Sequence, residues 1–212
     1  MRFEIPSGER KQYKMKNIFK LSLHLLLNTF LVCMLSFMAI ITLGMVGASN
    51  GYINPVISVI FGLLYFFMLI YFFVHTAWVE GGRDNNRVAI GQANETLYKG
   101  FLSAAVVVLP IIAIFIVTEM FKQDESTVMG ILNILKLIFC WAGVYLTVPL
   151  TGGVSTTNIE GVSSLDPTAD ILITVILCGV YVVAWICAGT GYIFGYKKIS
   201  FIPALTNKIM GR

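Results

Sequence analysis

Long uninterrupted runs of apolar residues restrict what this sequence can fold into. The first run covers residues 21–48 and contains no Asp, Glu, Lys or Arg. A helix needs about 20 predominantly apolar residues to cross the hydrocarbon core of a bilayer. Composition points the same way, because only 12% of the residues are charged, roughly half the usual share in soluble domains. We therefore predict an all-α integral membrane protein.

Three further runs predict transmembrane helices. Two of them begin with a capping residue followed by proline, Asn54-Pro55 and Asp166-Pro167. Asn and Asp cap helix N-termini, and proline suits the first helical position. The four predicted spans are residues 21–48, 55–79, 100–118 and 167–195.

A fifth apolar stretch, residues 128–150, has two interpretations. It contains Lys136 on a helical face with other small or weakly polar residues. The first interpretation is a re-entrant or interfacial helix on the outer side of the membrane. The alternative is a fifth transmembrane helix whose Lys136 ammonium reaches the interface along its flexible stem.

The distribution of Lys and Arg favours four spans, because basic residues accumulate in cytoplasmic segments. Residues 1–20 contain six, residues 80–99 contain three, residues 197–212 contain four, and residues 150–169 contain none. Four spans place the three basic segments on one side, whereas five would expose the C-terminal tail. We predict one transmembrane domain, residues 21–196, in the cell membrane, with basic cytoplasmic tails at both ends.

No catalytic or cofactor motif is visible in the sequence. It contains no P-loop, GxSxG, HExxH, EF-hand loop or CxxC pair, so no cofactor, metal ion or nucleic acid is predicted. The spans also lack charged residues near the bilayer midplane, where proton-coupled carriers and intramembrane hydrolases need them. We predict a non-enzymatic accessory, assembly or interaction subunit of a membrane complex. The alternative is a small oligomeric permease or channel-forming subunit for an unknown solute.

The polar segment 80–99 is the candidate docking site for a partner protein. It combines both signs of charge with glycines at positions 81, 82 and 91. One interpretation is a solvated connection whose acids satisfy nearby helix ends; the other is a cytoplasmic docking loop. The candidate docking residues are Glu80, Arg83, Asp84, Asn86 and Arg87.

An ion pair is predicted near the outer surface. Lys136 would pair with Glu119 or Asp170, since both acids lie near the outer ends of predicted spans. An ordinary interfacial lysine is one interpretation, and a functional ion pair or ligand site is the other.

Small residues in the last span predict close helix packing. Cys187, Gly191 and Gly195 recur every four residues, which lets transmembrane backbones approach closely. This pattern is more typical of packing within one bundle than of dimerisation, although a homo-oligomer is compatible with it. The basic N-terminal tail is expected to lie along anionic lipids of the inner leaflet.

The middle segment and the last span share a set of residues with other membrane proteins: Trp78, Gly81, Gly82, Asp84, Asn86, Gly91, Lys99, Gly100, Gly191, Tyr192, Gly195 and Tyr196. With these residues the chain resembles a group of small multi-span membrane proteins of Gram-positive anaerobic bacteria. The resemblance implies a bacterial plasma membrane, and it implies no chemistry because that group has no assigned activity.

Overall fold

The computed structural model describes residues 18–36, 38, 55–91, 97–121, 126–140 and 167–199, with the side chains at 55–58, 137, 140 and 167–170 left out. Within these ranges the chain forms five α-helices and no strand, which confirms the predicted all-α class. The helices are α1 (Ile18–Ser36), α2 (Pro55–Ala89), α3 (Lys99–Met120), α4 (Thr127–Cys140) and α5 (Pro167–Tyr196).

Four of these helices, α1, α2, α3 and α5, are long and apolar enough to cross a membrane. The protein is therefore a multi-pass membrane protein. Helices α3 and α5 match the predicted spans within two residues at each end. Helix α2 does not end at residue 79 as predicted, because it continues to Ala89. Residues 39–48 of the first predicted span lie outside the described part of the chain.

The core lies between the four long helices. Leu69 and Phe73 of α2, Phe115 of α3 and Tyr181 of α5 are fully buried. Large apolar side chains also cover the outside of the bundle, such as Phe67 with 64% exposure. A soluble monomer rarely exposes so much contiguous apolar surface, whereas a bilayer solvates it.

Helix α4 is the short apolar helix. Its 14 residues extend about 21 Å, less than the roughly 30 Å hydrocarbon core. Near its C-terminal end, the Phe139 carbonyl accepts a hydrogen bond of 3.0 Å from the Tyr181 hydroxyl at the middle of α5. The four spans plus one short helix agree with the predicted class, and residues 141–150, on which a fifth crossing depends, lie outside the described ranges.

Charged residues mark the two ends of α3. Lys99 begins the helix and Glu119 is its penultimate residue. The two residues are 20 positions apart, which corresponds to about 30 Å at 1.5 Å per residue, the thickness of a typical hydrocarbon core. Residues 100–118 contain no charged side chain, so Lys99 and Glu119 lie near the two membrane boundaries.

Candidate functional site

A dense group of charged side chains lies where the end of α2 meets the start of α3 and the end of α5. We call Glu80, Asp84, Arg87, Lys99 and Tyr192 the ionic cluster. Glu80, Asp84 and Lys99 are only 4%, 6% and 4% exposed. Buried charges of this kind need partners, because removing an ion from water costs several kcal/mol unless an opposite charge and hydrogen bonds compensate.

Asp84 is the centre of the ionic cluster, and both its oxygens are occupied. Its Oδ2 accepts hydrogen bonds from the Lys99 ammonium and from the Tyr192 hydroxyl at 2.7 Å. Its Oδ1 accepts one from Arg87 at 3.0 Å. One carboxylate of α2 thereby binds a side chain of α3 and a side chain of α5.

Glu80 completes the cluster from the preceding turn of α2. Its Oε1 lies 3.4 Å from Arg87 and 3.8 Å from Lys99. Its Oε2 accepts a hydrogen bond of 3.3 Å from Arg83, whose side chain is 58% exposed. An exposed pair of this kind contributes little to stability, whereas the buried contacts of Lys99 hold α2 against α3.

The sequence produces the cluster through helical spacing. Glu80, Asp84 and Arg87 follow one another at intervals of four and three residues, so they share one face of α2. Lys99, the first residue of α3, meets this face. Both carboxylates are paired with bases, and through these pairs the cluster cross-links α2 to α3 and α5.

The predicted docking loop is therefore wrong in one respect. Residues 80–89 belong to α2, and Glu80 and Asp84 are buried instead of available to a partner. Sequence reasoning also missed Lys99 and Tyr192 as their partners. The four-residue spacing of the two acids, directly after an apolar run, was the signal that could have indicated a buried face.

A second face of α2 at the same end is exposed. Arg83, Asn86 and Ile90 follow at intervals of three and four residues and are all exposed. The helical hydrogen bonding reaches the last of them, since the Ile90 amide donates to the Asn86 carbonyl at 3.2 Å. We call these three residues the exposed stripe. The structure thus divides the predicted docking residues between a buried cluster and an exposed stripe.

The ion pair predicted for Lys136 involves α3, α4 and α5. The Lys136 ammonium donates to Glu119 Oε2 at 3.1 Å, and the Thr174 hydroxyl donates to the same oxygen at 3.4 Å. Of the two acids proposed as partners of Lys136, the structure brings Glu119 to it. The side chain of Asp170 lies outside the described residues.

Two of the three candidate packing residues, Gly191 and Gly195, lie against α2. A Cβ atom at Gly191 would be 2.9 Å from the Val74 carbonyl oxygen, and one at Gly195 would overlap the carbonyl of Trp78. Cys187 is half-buried. The two glycines thus let the backbones of α5 and α2 touch, which is packing within one bundle.

Polar groups deeper in the bundle bond to one another. The Tyr65 and Tyr181 hydroxyls are 3.5 Å apart, and the Cys33 sulfur lies 3.9 Å from the Tyr65 hydroxyl. Asn28 of α1 donates to the Thr76 hydroxyl of α2 at 2.7 Å. Within the described part of the chain, no three His, Cys, Asp or Glu side chains form a group that could hold a metal ion.

Comparisons with protein-family models, with curated proteins and with solved structures find no significant match. The resemblance to membrane proteins of Gram-positive anaerobes stays a prediction. Function has to be argued from the chain's own residues.

Proposed function

We propose that this chain is a non-catalytic membrane subunit that binds another protein through the exposed stripe at the end of α2. The observation that carries the proposal is Ile90, whose side chain is 68% exposed. It lies six residues beyond Asp84, about 9 Å along the helix axis. The ionic cluster marks the membrane boundary, so this isoleucine is exposed to water rather than to lipid.

The surroundings of Ile90 are typical of a protein interface. Arg83 and Asn86 flank it on the same helical face, and an apolar centre with a polar rim containing arginine is the usual composition of a docking patch. The ionic cluster on the neighbouring face fixes the end of α2 to α3 and α5. A partner would therefore meet a helix that is already ordered, which lowers the entropic cost of binding.

The non-catalytic part of the proposal rests on the described charged groups. Both acids of the ionic cluster are paired with bases, and Glu119 is paired with Lys136. General acid–base catalysis needs a titratable group within reach of a substrate. Among the described residues, the charges inside or next to the bilayer instead join helices together.

The test is a site-specific cross-linking experiment. A photoreactive amino acid at position 90 is expected to capture one defined protein in the native membrane, and Arg83→Glu with Ile90→Ser is expected to lower its co-purification at least about tenfold. Hot-spot residues contribute about 2 kcal/mol each, and 1.4 kcal/mol corresponds to tenfold in affinity.

A matched control uses Lys20→Glu with Leu97→Ser, which makes the same types of change at two other exposed positions. This control should leave co-purification unchanged. Equal loss in both double variants, or a chain that captures nothing at position 90, would contradict the proposal.

We also propose that the ionic cluster faces the cytoplasm of a bacterial cell, with both termini on that side. The start of α1 lies beside the start of α3, because Ser22 donates to the Ser103 carbonyl at 2.9 Å. Lys20 therefore belongs to the same end of the bundle as Lys99 and Arg87. Among the described residues, Lys136 is the one basic side chain at the other end. This unequal number of basic residues at the two ends supports the orientation.

A reporter fused after Arg212 tests this orientation. We expect a C-terminal green fluorescent protein to fluoresce, because it folds in the cytoplasm, and a C-terminal alkaline phosphatase to be inactive. An active phosphatase would place the C-terminus outside and contradict the orientation without affecting the docking proposal.

A small oligomeric permease is the second candidate function. The observation that favours it is the group formed by Lys136, Glu119 and Thr174. Thr174 lies about two turns of α5 before the buried Tyr181. The purified chain in liposomes should then move a solute, and Lys136→Met should alter that flux. Absence of flux for a panel of ions and small metabolites would count against it.

A further inference from the structure

The turn that ends α5 has an unusual backbone at Lys198. The Ile199 amide donates to the Phe194 carbonyl at 2.9 Å, and the Lys198 amide donates to the Gly195 carbonyl at 3.0 Å. These two bonds form a Schellman motif, in which the residue at the position of Lys198 adopts a left-handed conformation and is usually glycine. Lys198 has φ = 55°, which glycine adopts without steric cost and lysine does not.

Side chains of α2 hold this turn in place. The Trp78 indole donates to the Ile199 carbonyl at 3.1 Å, and the Asn85 amide donates to the Tyr196 carbonyl. The Tyr196 carbonyl, which the helix end would otherwise leave without a partner, is thereby satisfied. These hydrogen bonds hold the backbone before and after Lys198, so the Cα atom of Lys198 has a defined position relative to α2.

The two lysines of the turn differ from Lys99 and Lys136 in their partners. Lys99 and Lys136 each pair with a carboxylate. Lys197 and Lys198 are exposed, and among the described residues no carboxylate lies within ion-pair distance of either. They follow Tyr192, whose hydroxyl reaches the ionic cluster, by less than two helical turns.

The turn therefore lies at the boundary of the membrane. The indole of Trp78 beside it agrees with this position, because tryptophan is enriched where the hydrocarbon core meets the headgroups. A boundary position brings the two ammonium groups to the level of lipid phosphates. Anionic lipids attract basic residues at this depth, whichever leaflet contains them.

We propose that the Lys197–Lys198 turn binds the phosphate of an anionic phospholipid headgroup. An ammonium group donates charge-assisted hydrogen bonds to phosphate oxygens. Residues in strained backbone conformations are concentrated at functional sites, so a lysine at a position that suits glycine points to a function of the lysine side chain. The site is separate from the exposed stripe and does not depend on the proposed function. The two lysine charges also interact favourably with the negative C-terminal end of the α5 dipole. If this were their only role, the lysines would stabilise the helix equally with or without anionic lipid.

The test is native mass spectrometry of the full chain in mild detergent, with phosphatidylglycerol or phosphatidylcholine added. The wild type is expected to retain one phosphatidylglycerol in preference to phosphatidylcholine. Lys198→Gln should weaken this binding about fivefold, the effect of one basic residue near an anionic surface. Lys198→Arg should preserve it, because the guanidinium binds phosphate as well.

Lys198→Gly separates the side chain from the backbone. It should raise the midpoint of thermal unfolding, because glycine relieves the left-handed conformation, and it should lose the lipid to the same extent as Lys198→Gln. Lys20→Gln is the comparison variant. It removes one base of the N-terminal segment that is expected to lie along anionic lipids, and it should weaken phosphatidylglycerol binding less than Lys198→Gln does.

Four outcomes would overturn the proposal. They are equal retention of the two lipids, wild-type lipid binding by Lys198→Gln, an equal loss in Lys20→Gln, and displacement of the lipid by inorganic phosphate. A lower unfolding midpoint for Lys198→Gly would remove the backbone argument on which the proposal depends.

Discussion

Asp84→Asn is expected to lower the free energy of unfolding by about 3 kcal/mol, because it leaves the buried Lys99 ammonium without its closest partner. The asparagine still accepts from Tyr192, and Glu80 remains 3.8 Å from the ammonium, so we expect the lower end of the usual 3 to 5 kcal/mol range for a broken buried pair. Titration of the purified protein with denaturing detergent, followed by circular dichroism, measures the loss.

Two comparisons isolate the buried pair. Arg83→Gln removes an exposed contact to Glu80 and should change stability by less than about 0.5 kcal/mol. Asp84→Asn combined with Lys99→Met should cost at least about 1 kcal/mol less than the two single changes added together, because no buried ammonium then lacks a partner. If Asp84→Asn is no more harmful than Arg83→Gln, the ionic cluster does not hold the helices together.

Gly195→Ala is expected to be the most harmful single-methyl change in α5. The added Cβ atom would overlap the Trp78 carbonyl, a backbone atom that cannot rotate away as a side chain can. Helices α5 and α2 would have to separate, and overpacking of this kind costs up to about 3 kcal/mol. The same detergent titration measures the effect, and the turn at Lys198 should lose its contact with Trp78.

Gly179→Ala is the matched control in the same helix. No atom lies within 4 Å of a Cβ placed there, and alanine favours a helix by about 0.5 to 1 kcal/mol relative to glycine. This variant should therefore be as stable as the wild type or slightly more stable. A similar loss in both variants would show that backbone contact at Gly195 is not what stabilises the bundle.

The sequence was sufficient for the fold class, because the length of an apolar run and the thickness of a bilayer decide it together. It was insufficient for the end of α2. Hydropathy falls at Glu80, so the predicted span stopped at residue 79, although the charged residues that follow continue the same helix to Ala89. Hydropathy indicates which residues are solvated by lipid, and it falls where a helix leaves the bilayer. The backbone hydrogen bonds of the helix can continue beyond that point, so hydropathy alone does not show where the helix ends.

Only those contacts of the site that depend on local sequence patterns could be predicted. The Lys136–Glu119 contact followed from two charges near the same membrane surface, and Gly191 and Gly195 followed from spacing within one helix. Asp84, Lys99 and Tyr192 are separated by 15 and 93 positions along the chain, and only the packing of α2, α3 and α5 brings them together. Local patterns reveal which face of a helix is polar, but the partner of that face depends on tertiary structure.

The hydrogen bond between α4 and α5 has a consequence for biogenesis. Tyr181, the donor, is synthesised 42 residues after Phe139, the acceptor. Until α5 is inserted, the Phe139 carbonyl lacks this donor. The hydrogen bond that joins α4 to α5 is therefore expected to form only after α5 has entered the membrane, as a late step in the assembly of the bundle.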